Sequence, residues 1–159
     1  MMRYPKALVL LLAACTALSC TAGEQDQLSD FATSYAAAWS GLDPTALASF
    51  YTEDGSLTVN EGTPSVGRTA ITATAQGFMT AFPDMVVKLD GLSQDGGHTI
   101  FRWLWTGTNT GPGGTGQSVR MTGYEEWTLS ADGLIRESKG HYDEAEYQRQ
   151  LQSGPPPAP

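Results

Sequence analysis

DGLIRESKGHYDEAEYQRQL, residues 132–151, brings a turn, a strand and a helix together at one carboxylate, and its reading decides the fold. Asp132-Gly133 is a tight-turn dipeptide of the kind that closes a hairpin. Leu134 to Tyr142 then reads as a strand, whose period of two puts Ile135, Glu137, Lys139, His141 and Asp143 on one face if no bulge intervenes. Beyond Tyr142 the pattern changes. Asp143 can cap a short terminal helix, Glu144 to Leu151, so this carboxylate sits where the last strand ends.

The same residues resemble the end of the SnoaL-like polyketide cyclases, a branch of the nuclear transport factor 2-like superfamily. Chains of that family close with a Gly-x-Ile strand, an Asp, and Gln-Leu seven and eight residues beyond it; here these are Gly133-Leu134-Ile135, Asp143 and Gln150-Leu151. The family's Asp is a general acid/base in the pocket, and the resemblance implies that role for Asp143. Read without the family, Asp143 is equally a helix cap.

Outward from this stretch, the chain's 159 residues fit one domain. Residues 1–19 read as a signal peptide: Arg3 and Lys6 form a basic start, Ala7 to Ala14 is continuously apolar, and small residues precede each of two cysteines. Such a segment is too short to remain as a membrane-spanning helix. Small residues directly before a Cys resemble a bacterial lipoprotein signal, cut before a Cys that is then lipidated. Cys20 is the preferred site, since a polar tether, residues 20–26, follows it; Cys15 is the alternative. The expectation is an exported domain held at the bacterial cell envelope by a lipid anchor, or a secreted one if cleavage falls near Ala22.

Both cysteines lie in this segment, so the body carries no disulfide, thiolate nucleophile or thiolate metal site. The formal charge is −8, and loss of Arg3 and Lys6 leaves seven basic against seventeen acidic residues, or −10. That balance argues against nucleic acid as a partner and favours a neutral or apolar small molecule. Residues 153–159 end in GPPPAP, a proline-rich tail read as extended and disordered.

The body is therefore residues 27–152. Phe31, Tyr35, Ala38 and Trp39 repeat at helical spacing over Gln27 to Ser40, and Gly41 stops that helix. Asp43 caps a second helix with Pro44 in its first turn. Glu53-Asp54-Gly55 reads as a turn, Ser56 to Asn60 as a short strand, and Arg68 to Phe82 as a third helix ended by Pro83. Met85–Leu92, His98–Thr108 and Ser118–Leu129 read as strands. The fold class is α+β: three N-terminal helices packed in a curved, mixed, mainly antiparallel sheet. A curled sheet over three helices leaves a cone with an internal pocket, which is also the fold the resemblance implies.

Family-like spacings recur along this body. They include Asp54 with Asn60, Gly67 with Ala70-Ile71, Phe82-Pro83-Asp84, the run Gly107-Thr108-Asn109-Thr110-Gly111, and Gly114-Thr115-Gly116. Where many members show Gly-Thr-His, this chain has Asn109, which hydrogen-bonds a carbonyl but cannot shuttle a proton near neutral pH.

The pocket's chemistry follows from strand parity. Phe101, Trp103, Trp105 and Asn109 share one face of their strand, which gives flat apolar walls, or simply core under the helices. Glu125 shares a face with Val119, Met121, Trp127 and Leu129. Buried there, its pKa would rise and it could donate a proton; a bulge near Gly123 would instead turn it outward. Asp143 with Glu125 or His141 would make a proton-transfer pair, with Tyr35, Trp39, Asn60, Trp103, Trp105 and Asn109 as binding residues. His141 is otherwise a structural or exposed residue.

Such a set suits a small apolar carbonyl compound and cofactor-independent cyclase, isomerase or lyase chemistry, with no metal, since His98 and His141 show no ligand spacing. Resemblance to ketosteroid isomerases stops at the catalytic base, which would fall at Val59 or Asn60. The Arg-x-Asp of limonene epoxide hydrolases is absent, as Leu104 follows Arg102 and Thr122 follows Arg120 at that distance. The alternative is a non-catalytic module that binds a ligand or a partner protein. Apolar residues on the outer sheet face, Ile100, Leu104 and Tyr124, point to a homodimer.

Overall fold

The computed structural model describes residues 16–157, with side chains from residue 23 onward. Most of the expected signal peptide, with Cys15, lies outside the described residues, as does the side chain of Cys20. Helix α1 runs from Thr16 to Ser40, well upstream of the expected start at Gln27, and α2 spans Pro44–Ala48 with the Asp43 carboxylate accepting from Ala46 N at 2.8 Å. Strands β1 (Tyr51–Val59) and β2 (Ser65–Val66) precede α3 (Arg68–Ala81). Strands β3 (Val86–Asp95), β4 (His98–Thr108), β5 (Ser118–Leu129) and β6 (Ile135–Tyr142) follow, and α4 (Glu144–Ser153) closes the chain.

The six strands form one open sheet in the order β2-β1-β6-β5-β4-β3. Only the β1–β6 pairing is parallel, so the sheet is mixed and mainly antiparallel, with α1 laid across its concave face against β3. This is the α+β cone the sequence predicts, left unclosed.

Two departures from strict alternation matter. Glu53-Asp54-Gly55 does not end the strand: it lies inside β1, where pairing to β6 jumps from Tyr51↔Ile135 to Ser56↔Glu137. The chain swings out there without leaving the sheet, because Arg68 holds the excursion. Its Nε and Nη2 donate to the Tyr51 carbonyl at 2.9 and 2.7 Å, and its Nη1 reaches Glu53 Oε1 at 2.6 Å. The second departure is on β6. Opposite β5, Leu129 pairs with Ile135 but Thr128 with Glu137, so Arg136 is an extra residue. After it the parity reverses: Ser138 and Gly140 are buried, and Glu137, Lys139 and His141 turn to the outer face.

The narrow end of the cone is an aromatic core. Phe101 and Trp127 stack at 4.7 Å with 13° between planes, and Tyr35 meets both edge-on at 5.4 and 5.0 Å. Such pairings add about 0.5–1.5 kcal/mol each beyond area burial. On the outer face, Ile100 is only 8% exposed, which leaves Tyr124, at 37%, and Val86, at 38%, as large exposed hydrophobic side chains of that face.

Candidate functional site

Three periodicities converge on one cavity. On α1, Ala32, Tyr35, Ala36 and Trp39 form a buried stripe at spacings of three and four, so Trp39 projects one turn beyond the aromatic core that Tyr35 helps to build. On β4, Phe101, Trp103 and Trp105 alternate inward, the first in that core and the other two beyond it. On β5, Trp127, Glu125, Met121 and Val119 are buried with unbroken parity, so no bulge at Gly123 turns Glu125 outward. Gly123 itself makes room: a Cβ there would overlap the Trp103 ring and the His141 carbonyl.

The result is a cavity of about 70 Å³. Its walls are Trp39, Phe78, Trp103, Trp105 and Tyr142, with Leu57, Val59, Met85, Val87 and Gly140 between them. Glu125 is its one acidic residue. The cavity is small beside the roughly 150 Å³ that admits a benzene molecule, and so takes a ligand of a few non-hydrogen atoms.

Glu125 is 6% exposed, and its two oxygens are used unequally. Oε2 accepts from Ser138 Oγ at 2.6 Å, Trp127 Nε1 at 2.8 Å and the Tyr35 hydroxyl at 3.0 Å. Oε1 takes none of these bonds. The Tyr35 hydroxyl in turn lies 2.9 Å from that of Tyr51, so Tyr51 can donate to Tyr35 while Tyr35 donates to Glu125. Loss of water on burial pushes the Glu125 pKa up, and the three donors pull it back in part. Tyr35 and Tyr51 are pushed well above the ordinary phenol value, first by burial and then by the neighbouring Glu125 charge, so both stay protonated donors. With Oε2 saturated, a proton on Glu125 resides on Oε1.

Two buried side-chain nitrogens among the described residues have no hydrogen-bond partner, His141 Nε2 on the outer face and Trp105 Nε1. A buried N–H without an acceptor is costly, on the order of 1–3 kcal/mol. Within the lining, Glu125 is the polar side chain whose second oxygen, Oε1, is left over by the network behind it.

The other expected site residues lie elsewhere. Asp143 is exposed and serves as N-cap of α4, accepting from Glu146 N at 3.0 Å. It lines a hollow on the outer sheet face with His141, Arg102 and Asp90, separate from the cavity. His141 stacks on Tyr124 at 4.8 Å, with its Nε2 3.9 Å from Glu126. Asn60, at φ 47°, ends β1 and ties it to the last corner: its Oδ1 accepts from Tyr142 N at 3.0 Å and its Nδ2 donates to Glu144 at 3.3 Å. Asn109 latches its loop to the end of α3, with Nδ2 donating to the Ala81 carbonyl at 3.2 Å and Oδ1 accepting from Thr115 N at 2.8 Å. No group of three or more His, Cys, Asp or Glu able to hold a metal occurs among the described residues.

Sequence reasoning missed Phe78, Met85 and Tyr142 in the walls and Tyr51 and Ser138 behind Glu125. Phe78 is signalled by the apolar spacing Ile71, Ala75, Phe78, Met79 along α3. Tyr142 and Ser138 carry no signal of their own, because the extra Arg136 decides their direction.

Comparison with known proteins places this geometry. A family model for the SnoaL-like domain matches residues 32–138. No curated protein matches the chain significantly. Among solved structures, a protein assigned to the SnoaL-like polyketide cyclases of Jannaschia sp. CCS1 superposes with a TM-score of 0.69 at 19% identity, covering 82% of this chain and 94% of that one. A protein of ketosteroid isomerase-like fold from Catenulispora acidiphila DSM 44928, in complex with trimethylamine, gives 0.67 at 20% identity, covering 79% and 93%. TerC, co-crystallised with polyporic acid, gives 0.64 at 13% identity, covering 78% and 97%. At these identities the likeness is one of fold alone. With the family model spanning most of its folded body, the chain belongs to the SnoaL-like domain family.

Proposed function

We propose that this domain binds a small, largely apolar molecule in the cavity between α1, α3 and the sheet, and that it does so without turnover. The observation that carries this reading is the composition of the cavity: aromatic and aliphatic walls, one buried carboxyl group, and no second proton carrier that titrates near neutrality. Tyr142 is a wall residue, but burial and the nearby Glu144 push its phenol well above the ordinary value. Glu125 therefore stands in the lining without a partner acid or base.

A carbonyl-type oxygen on the ligand fits Glu125, since it can accept from protonated Glu125 Oε1–H. That small organic molecules occupy proteins of this fold, trimethylamine in one and polyporic acid in another, agrees with a ligand-binding role. A second reading, acid catalysis on a bound carbonyl compound, is favoured by the raised Glu125 pKa and needs a base from the ligand itself. We further propose that the domain works at the cell envelope, anchored through Cys20. That location rests on the N-terminal sequence, and a Cys20→Ala protein that stayed with the membrane fraction would count against it.

The test is a titration of the protein with small ketones and amides, followed on the indole N–H resonance of Trp105. A saturable shift, unchanged in Asp143→Asn and without consumption of the compound, supports binding. Turnover that disappears in Asp143→Asn would overturn the reading in favour of an acid/base enzyme.

A further inference from the structure

The five aromatic walls are mutually angled, and this arrangement bears on ligand charge. Trp39 and Phe78 meet at 84° with centroids 6.2 Å apart, and Phe78 and Trp105 at 88° and 6.1 Å. Trp103 and Tyr142 form the opposite wall, tilted by 59° at 6.5 Å. Five aromatic rings thus line one small volume, and aromatic surface on several sides is what favours an alkylated ammonium over a neutral group of the same size.

Charge supplies the second, independent argument. Glu125 is 6% exposed, yet none of the ion pairs among the described residues includes it. A buried carboxyl group normally has a cationic partner or a metal, because an ionised one without either is strongly disfavoured. Three neutral donors have been gathered on Oε2 instead, an arrangement that favours the anion, while Oε1 is left for something else. A cation in the cavity would complete the set.

The walls also restrict which cation. A primary ammonium has three N–H donors to satisfy, and the lining offers one carboxylate oxygen among apolar groups. A tertiary ammonium has one N–H and a quaternary one has none, and their methyl groups carry the positive charge onto the rings. The volume of about 70 Å³ suits a trimethylammonium-sized group.

We infer that the cavity is a subsite for a small tertiary or quaternary alkylammonium group, enclosed by Trp39, Phe78, Trp103, Trp105 and Tyr142 and paired with Glu125. The inference rests on the binding role proposed above and names its ligand class.

Tetramethylammonium chloride and tert-butanol, which have the same number of non-hydrogen atoms and a similar shape, separate the two ideas. Both are titrated into the protein while indole resonances are followed, with sodium chloride as the ionic-strength control. The cation is expected to bind at least about tenfold more tightly than the alcohol. Glu125→Gln, which keeps the side-chain shape, should remove most of that preference. Phe78→Leu, a second variant that touches no member of the carboxyl network, should weaken the cation selectively through loss of an aromatic ring from the lining. Equal or better binding of tert-butanol, or a preference that survives in both variants, overturns this inference alone. If neither probe shifts a cavity indole, the binding role itself fails.

Discussion

Replacement of Ser138 by Ala removes a single oxygen from the network around Glu125, and its cost should depend on pH. Ser138 is fully buried, and its hydroxyl donates to Glu125 Oε2 at 2.6 Å, the shortest of the three bonds to that oxygen. A hydrogen bond to an ionised group is worth about 1.5–3 kcal/mol, against about 0.5–1.5 for a neutral one. Ser138→Ala should therefore destabilise the domain by about 1 kcal/mol where Glu125 is protonated and about 2 kcal/mol where it is ionised. The sign follows from linkage. Burial raises the Glu125 pKa in the folded state, so the native protein holds a proton that the unfolded chain has released. Stability from this group is greatest below the ordinary carboxylate value and falls as pH rises through the folded value. The variant lacks a donor that favours the anion, so its stability must fall further over the same interval. Urea unfolding followed by tryptophan fluorescence, from about pH 5 to pH 8, measures the difference directly. A difference that stays constant over the series, or that is larger at the acidic end, would refute the assignment of Ser138 as a donor to a titrating Glu125.

Three further outcomes can be checked separately. Asp143→Ala should cost about 1 kcal/mol by uncapping α4, whereas Asp143→Asn should cost almost nothing and neither should alter ligand binding, as denaturant titration beside the indole assay would show. Glu146, held to about 2 by hydrogen bonds from Arg149 and Gln150, should still be ionised at pH 3 in a carbon-detected titration; its contribution is present above the ordinary carboxylate value and is lost only as pH falls through the folded one. Gly123→Ala should displace the Trp103 ring, cost about 1–3 kcal/mol and abolish cavity binding, with the ring's movement visible in near-ultraviolet circular dichroism.

Much of this architecture was legible in the sequence wherever the pattern kept a constant period. The stripe through Tyr35 and Trp39, the alternation Phe101, Trp103, Trp105, and the burial of Glu125 beside Trp127 all follow from spacing alone. The Asp43 and Asp143 caps were readable for the same reason, since a cap is a local device. Legibility ended where one extra residue entered a strand. Arg136 exchanges the faces of β6, so Ser138 rather than Lys139 meets Glu125, and His141 joins Tyr124 outside. Nothing local announces that bulge, because it is fixed by the pairing with β5. Asn60 and Asn109 show a different limit: an amide reads as a ligand group, but here both meet backbone groups that the loops would otherwise leave unpaired.

Tyr51 is fastened at both ends. Its carbonyl is gripped by Arg68, which also holds Glu53 at the surface, and its hydroxyl meets Tyr35 one bond away from Glu125. A single residue thus spans the distance between an exposed ion pair and the buried carboxyl group. Anything that grips or releases Arg68 from outside pulls on the backbone of the very side chain that supports the donor to Glu125. The rim of the cone and the carboxyl group behind its cavity are thus joined by one unbroken run of hydrogen bonds through Tyr51.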